Sequence, residues 1–354
     1  MSGPLERRYR LLLTAFPARH RRLYHEEMLG VLLDRAEPGQ RRPTMAEVAD
    51  LLTAAVGVRL RALRAAATDD RWRTAAAVTA TIAAVLLASL GLRTVAYNFG
   101  MQTLVTSIVP GAEFEPWSAP DVLRDLVWLP VVIAALLGWR TGAAAIASLV
   151  TVAEAVVLID RYRMFPTDLL YGLRPLALGF LASVGFAMSV RHRPVSKLLG
   201  RRRTGALLLA GLLVIGTGIA NLLQVKIVPL PGREGSYSES AVRSMFGPQY
   251  PHINPSVAVL YLAALALLLI VLARLAGPVR RRIVAVALPV VVLYLVVEHS
   301  FLGYRMAAYH VSPPLPLDAG QWLRLALPPV GLLVLCVALV HWYEGRRRPD
   351  PIRY

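Results

Sequence analysis

The sequence predicts an all-α membrane protein: a bundle of about eight transmembrane helices behind a small N-terminal helical domain. Three observations predict it. Hydrophobic residues fill 56% of the 354 positions and charged residues only 17%, against about a quarter in soluble domains. The mean hydropathy is +0.52. The apolar residues lie in long blocks, most of them near the roughly 20 residues a helix needs to cross about 30 Å of hydrocarbon.

The first 70 residues differ in kind. Leu5, Tyr9, Leu12, Leu13 and Phe16 recur at helical spacing with arginines between them, the pattern of an amphipathic helix. Pro17 suits the first turn of a second helix reaching about Ala36, because a helix needs no N–H at that position. Glu37–Pro43 reads as a loop. Thr44-Met45-Ala46-Glu47 then has the form of a capping box, in which each side chain satisfies the other's free backbone N–H. A third helix runs from there to about Ala67, with Val48, Leu51, Leu52, Ala55 and Leu63 on one side. Residues 1–70 are thus expected to form a cytoplasmic three-helix domain.

Eight candidate spans follow: Thr74–Tyr97, Leu123–Gly138, Gly142–Leu158, Leu169–Val190, Thr204–Val225, Val257–Ala276, Ile283–Gly303 and Trp322–Trp342. The second and third are short and joined only by Trp139–Thr141, which predicts a tight helical hairpin. With the N-terminus inside, the inner connections hold fifteen basic residues and the much longer outer ones seven, or ten with Arg93, Arg174 and Arg324 near outer helix ends. The positive-inside rule then places both termini in the cytoplasm. The expected location is the plasma (inner) membrane, crossed many times, with residues 344–354 as a basic tail. Arg201–Arg203, Arg280–Arg282 and Arg346–Arg348 all fall inside, where anionic headgroups attract them. The apolar run Leu11–Leu13 is too short for a secretory signal and is followed by Pro17 and Arg19.

The spans also predict an internal repeat, with residues 71–203 and 204–343 as two four-span halves. Glu154 … Tyr162-Arg163-Met164 after the third span parallels Glu298 … Tyr304-Arg305-Met306 after the seventh. Leu173-Arg174-Pro175-Leu176 parallels Leu323-Arg324-Leu325-Ala326. Halves with an even number of spans share one orientation.

An ionisable residue in a span is expensive and marks a candidate site. Glu154, Arg174, Glu298, His299, Arg305 and Arg324 fall near the outer level, with Arg93 close by. Two readings fit. One is an outward polar vestibule for an anionic or zwitterionic solute or headgroup. The other is a structural layer of ion pairs, joining a Glu of the third or seventh span to an Arg of the fourth or eighth, with arginines snorkelling to phosphates. The outer loop Lys226–Ser256, carrying Tyr237, Phe246, Tyr250 and His252 and a short helix near Ser238–Phe246, is a candidate cover. Phe99–Asp125 is expected as a companion outer loop. Pro175, Pro289 and Pro328-Pro329 permit broken helices.

Other chemistries lack their residues. The single cysteine, Cys336, lies in an apolar stretch, which leaves no disulfide framework and no Cys-based zinc site. HExxH, P-loop, GxGxxG and GxSxG patterns are absent from the sequence. No catalytic residue, metal or cofactor is expected. The net charge of +17 comes from arginines placed beside apolar blocks, which points to headgroups and away from nucleic acid.

The segment Arg8-Tyr9-Arg10 … Phe16-Pro17-Ala18-Arg19-His20-Arg21 … Tyr24-His25-Glu26-Glu27-Met28-Leu29 resembles the N-terminal helical prefix of multi-pass actinobacterial membrane proteins. It is similar to permease-prefix and HAAS-like domains, with His25 standing where that pattern has glycine. The resemblance covers about 60 residues. It implies a cytoplasmic interaction module ahead of a membrane domain, and HAAS-like proteins are associated with PadR-type regulators. Residues 1–67 are accordingly expected to dock a cytoplasmic protein, with Tyr9, Leu12, Phe16, Tyr24 and Met28 as the candidate face. The competing expectation is a secondary transporter or permease built from the two halves.

Overall fold

The computed structural model describes residues 3–37, 39–67, 69–108, 119–164, 166–190, 195–223, 255–304 and 316–347. Among these it contains helices and no strands. The chain divides into two compact units, Met1–Trp72 and Arg73–Tyr354.

The first unit holds α1 (Pro4–Leu13), α2 (Ala18–Asp34) and α3 (Met45–Ala67). Its core joins Leu5, Tyr9, Leu13, Phe16, Leu29 and Ala55, so the apolar spacing of α1 serves to bury one stripe against both partners. The capping box is present in full. The Thr44 N–H donates to Glu47 Oε2 at 2.7 Å, and the Glu47 N–H donates to Thr44 Oγ1 at 3.2 Å. The Thr44 N–H, acting more strongly than any other neighbour, holds the Glu47 carboxyl below its ordinary pKa. Burial, and then the Glu47 carboxylate, push the Tyr9 phenol above its own.

The second unit is a membrane helix bundle. Among the described residues seven helical segments are long and apolar enough to cross a bilayer: Asp70–Leu104, Arg140–Tyr162, Leu169–Ser189, Arg201–Leu222, Pro255–Ala273, Gly277–Ser300 and Ala319–Glu344. They belong to α4 (Asp70–Ile108), α7 (Arg140–Met164), α8 (Pro166–Ser189), α10 (Arg201–Leu222), α11 (Pro255–Ala273), α12 (Gly277–Leu295, continued by a π-helical turn Val296–Ser300) and α13 (Ala319–Arg347). The short α9 (Val195–Leu199) leads into α10.

The segment expected as the second span is where the structure differs. It bends at Val127, between α5 (Ala119–Leu126) and α6 (Trp128–Leu137). Val127 keeps right-handed helical φ and ψ and its N–H donates to the Leu123 carbonyl at 2.9 Å, so the two run on as one kinked helix. Pro130 supplies the reason, since it has no N–H for the Leu126 carbonyl and its ring crowds that position. The region expected as an outer loop from Phe99 is also helical as far as Ile108. The 39 residues of α4 reach about 58 Å at 1.5 Å each, nearly twice the hydrocarbon thickness.

The hairpin after α6 closes as its spacing predicts. Gly138 takes φ +86°, its N–H donates to the Ala135 carbonyl at 3.3 Å, and the Trp139 N–H donates to Ala134 at 2.8 Å. This is a Schellman turn, which needs a residue in the left-handed region and so favours glycine.

Helix α4 is the centre of the bundle. Ala75, Ala77, Ala80, Ala83, Ala84 and Ala88 on it are buried against residues of α6, α7, α8 and α10. Small side chains allow this close approach, the usual way membrane helices gain contact without a hydrophobic driving force. At Gly185 of α8 an added Cβ would stand 2.6 Å from the Ala76 carbonyl oxygen and 2.8 Å from the Ala80 Cβ. Outside this centre, α7 packs on α8, α10 on α11 and α12 on α13. Helices α11 and α13 leave most of their apolar surface facing outward.

Candidate functional site

Two of the expected polar residues, Arg174 and Glu298, meet around the C-terminal end of α12. There the helix changes from α to π at Val296–Ser300, which inserts an extra residue per turn and re-aims the side chains that follow. Glu298 is in that turn and forms an ion pair with Arg174 of α8. The Arg174 guanidinium also lies over the Tyr294 ring, 4.6 Å from its centroid, and 5.7 Å from that of Tyr171. Leu158, Leu169, Leu170, Val297, Phe301 and Leu325 form one buried apolar cluster. Tyr162 joins its edge, accepting a hydrogen bond from the Leu317 N–H at 3.4 Å and meeting Trp322 edge-on at 6.0 Å.

The other expected residues are arranged differently. Glu154 on α7 pairs with Arg124 of α5, Nε to Oε1 at 3.5 Å, and not with an arginine of the fourth or eighth span. His299 and Arg324 are exposed. Arg93 is half-buried, with its side chain and carbonyl against the Gly218 position of α10. Arg305 lies outside the described residues, as does the Lys226–Ser256 loop apart from its last two residues. Sequence reasoning missed Arg124 because it stood in a presumed loop, and missed Tyr171 and Tyr294 because aromatic residues in apolar helices carry no signal of their own. The spacing Tyr171-x-x-Arg174 is the one clue that was available.

The opposite end of α12 carries a second set of charges. Arg282, 1% exposed, donates to both Glu344 oxygens on α13, Nη1 to Oε1 at 2.8 Å and Nη2 to Oε2 at 2.6 Å, and to the Pro278 carbonyl at 3.0 Å. Arg281 lies 4.4 Å from the Tyr343 ring centroid. Nearby in sequence to the hairpin turn, buried Arg140 donates to the Ser189 carbonyl at the end of α8 at 2.8 Å. That carbonyl is one a helix C-terminus leaves without an internal partner.

In the N-terminal unit the expected docking face splits in two. Tyr9 and Phe16 are 0% and 3% exposed, because the core of so small a unit claims them, and Tyr9 is withdrawn from the face. Leu12 and Met28 are half-buried, and Tyr24 is 45% exposed. A groove of about 750 Å³ runs between α2 and α3, lined by Phe16, His20, Tyr24, Met28, Leu51 and Val58 among others. Its α2 wall is a ladder of rings, with Phe16 stacked on His20 at 5.5 Å and His20 against Tyr24 at 4.9 Å.

Among the described residues no group of three or more His, Cys, Asp or Glu side chains could hold a metal ion. No family model, no curated protein and no solved structure matches this chain.

Proposed function

We propose that this chain is a plasma-membrane protein with both ends in the cytoplasm, whose N-terminal helical unit docks a protein partner that the bundle anchors or regulates. The carrying observation is the open apolar groove between α2 and α3. A three-helix unit that leaves a ring-lined trough on its surface matches the way proteins receive a partner helix. The resemblance to permease-prefix and HAAS-like domains supports the same role. The cytoplasmic arginine clusters hold the bundle against anionic lipid. The test is deletion of residues 1–67 from the membrane-inserted protein, followed by proximity labelling in cells. The labelled set should lose its cytoplasmic members. An unchanged set with an unchanged phenotype would sink the reading.

A second reading rests on a specific observation, the π-helical turn that presents Glu298 to Arg174, whose guanidinium also lies over the Tyr171 and Tyr294 rings. One cation, one anion and two π surfaces in a single cluster suit a zwitterionic solute or headgroup. On this reading the protein is a permease, and Glu298→Gln alters the flux of small zwitterionic or anionic solutes into proteoliposomes. Absence of flux from the unaltered protein removes the reading.

A further inference from the structure

We infer that the groove of the N-terminal unit receives a second copy of this chain, the α2 helices of the two copies lying antiparallel. This rests on the docking reading above and names its occupant. The argument starts from charge. Helix α2 has no acidic residue in its first turn and no basic residue in its last, the reverse of what the helix dipole favours. Arg21 and Arg22 stand in its N-terminal half, and Glu27 and Asp34 in its C-terminal half, with Arg35 just beyond the end. Among the described residues none of Arg21, Arg22, Glu27 and Asp34 makes an ion pair, whereas neighbouring Glu26 is already held by Arg10 at 3.5 Å. A helix that is basic at one end and acidic at the other is complementary to itself when reversed. In an antiparallel pair each arginine end meets a carboxylate end, and each dipole terminus meets the charge it prefers. A twofold contact of this kind also repeats every interaction, so one pattern is used twice.

The groove-lining residues of α2 follow the same line. His20, Tyr24, Glu27 and Val31 are spaced by four, three and four residues and line the groove from α2. That is the a/d spacing along which two helices interdigitate. Tyr24 and Val31 are both exposed in the single copy. Pairing through this stripe brings α2 and α3 of both copies into a four-helix arrangement and covers the ring ladder.

The experiment uses the full chain in proteoliposomes, with Cys336→Ser as background. Copies carrying His20→Cys are mixed with copies carrying Val31→Cys and oxidised. The mixed 20–31 cross-link should dominate over 20–20 and 31–31, which a parallel pair would give. Arg21→Glu/Arg22→Glu makes α2 acidic at both ends, and Glu27→Arg/Asp34→Arg makes it basic at both. Each variant alone should self-associate about tenfold or more weakly than the unaltered chain, because like charges then face each other. An equimolar mixture of the two should recover association. Its recovery also shows that both variants fold. Failure of the mixture to associate overturns the antiparallel pair. So does a monomeric unaltered chain, whether its groove cysteines are shielded by lipid or the groove is taken by a different protein in cells. The last result leaves the docking reading standing, whereas an unchanged labelled set on deletion of residues 1–67 removes both.

Discussion

Arg282 shows what a single residue can cost in this fold. Its guanidinium is almost fully enclosed and held by both oxygens of Glu344. Removing the carboxylate strands a buried charge, so Glu344→Ala should destabilise the bundle by about 3 kcal/mol. Replacing both partners, as in Arg282→Met with Glu344→Leu, should restore most of it. Thermal unfolding in detergent micelles measures both. Glu47 offers a test in pH. Its carboxyl titrates below the usual range in the folded unit because it accepts the Thr44 N–H. The stabilisation is therefore present above the unfolded value near 4.3 and fades as pH falls through the lower folded value. Helicity at the start of α3, followed by amide exchange, should drop on acidification, and Glu47→Gln should flatten that dependence. These residues were unequally legible. The capping box was readable from four consecutive letters, since its partners are three apart. The Arg282–Glu344 and Arg124–Glu154 pairs join residues 62 and 30 positions apart, and a sequence carries no record of which distant charge a helix will face.

At the level of elements, the close packing around α4 depends on side-chain volume. Gly185→Val would drive new methyl groups into the Ala76 carbonyl and the Ala80 methyl. Overpacking of this kind costs about 1–3 kcal/mol. The variant should melt earlier in micelles, with Gly185→Ala intermediate between it and the unaltered chain. The apolar blocks told where most of the long helices lie, because a membrane allows few other structures. They did not tell where the second would bend. Pro130 was visible, but sequence alone does not tell a kink from an interruption, and the helical backbone at Val127 shows the kink. Nor did composition separate the enclosed helix from the outward ones. Helix α4 and helix α11 are both strongly apolar, yet one is surrounded by protein and the other is not.

For the whole molecule the parity of crossings is read by one labelling experiment. In a Cys336→Ser background, Glu37→Cys and Lys197→Cys should both react with an impermeant reagent from the cytoplasmic side, and Asp318→Cys from outside. Agreement between positions 37 and 197 requires that α5 and α6 together complete a crossing, since α4, α7 and α8 alone would leave them on opposite faces. The hairpin between α6 and α7 gives this a mechanical side. Its turn is fastened twice, by the Schellman bonds at Gly138 and by Arg140 reaching the Ser189 carbonyl. Three helix ends are thereby tied in one knot of backbone. The C-terminal end of α6 is therefore held in place by hydrogen bonds to its neighbours as well as by its fit to lipid.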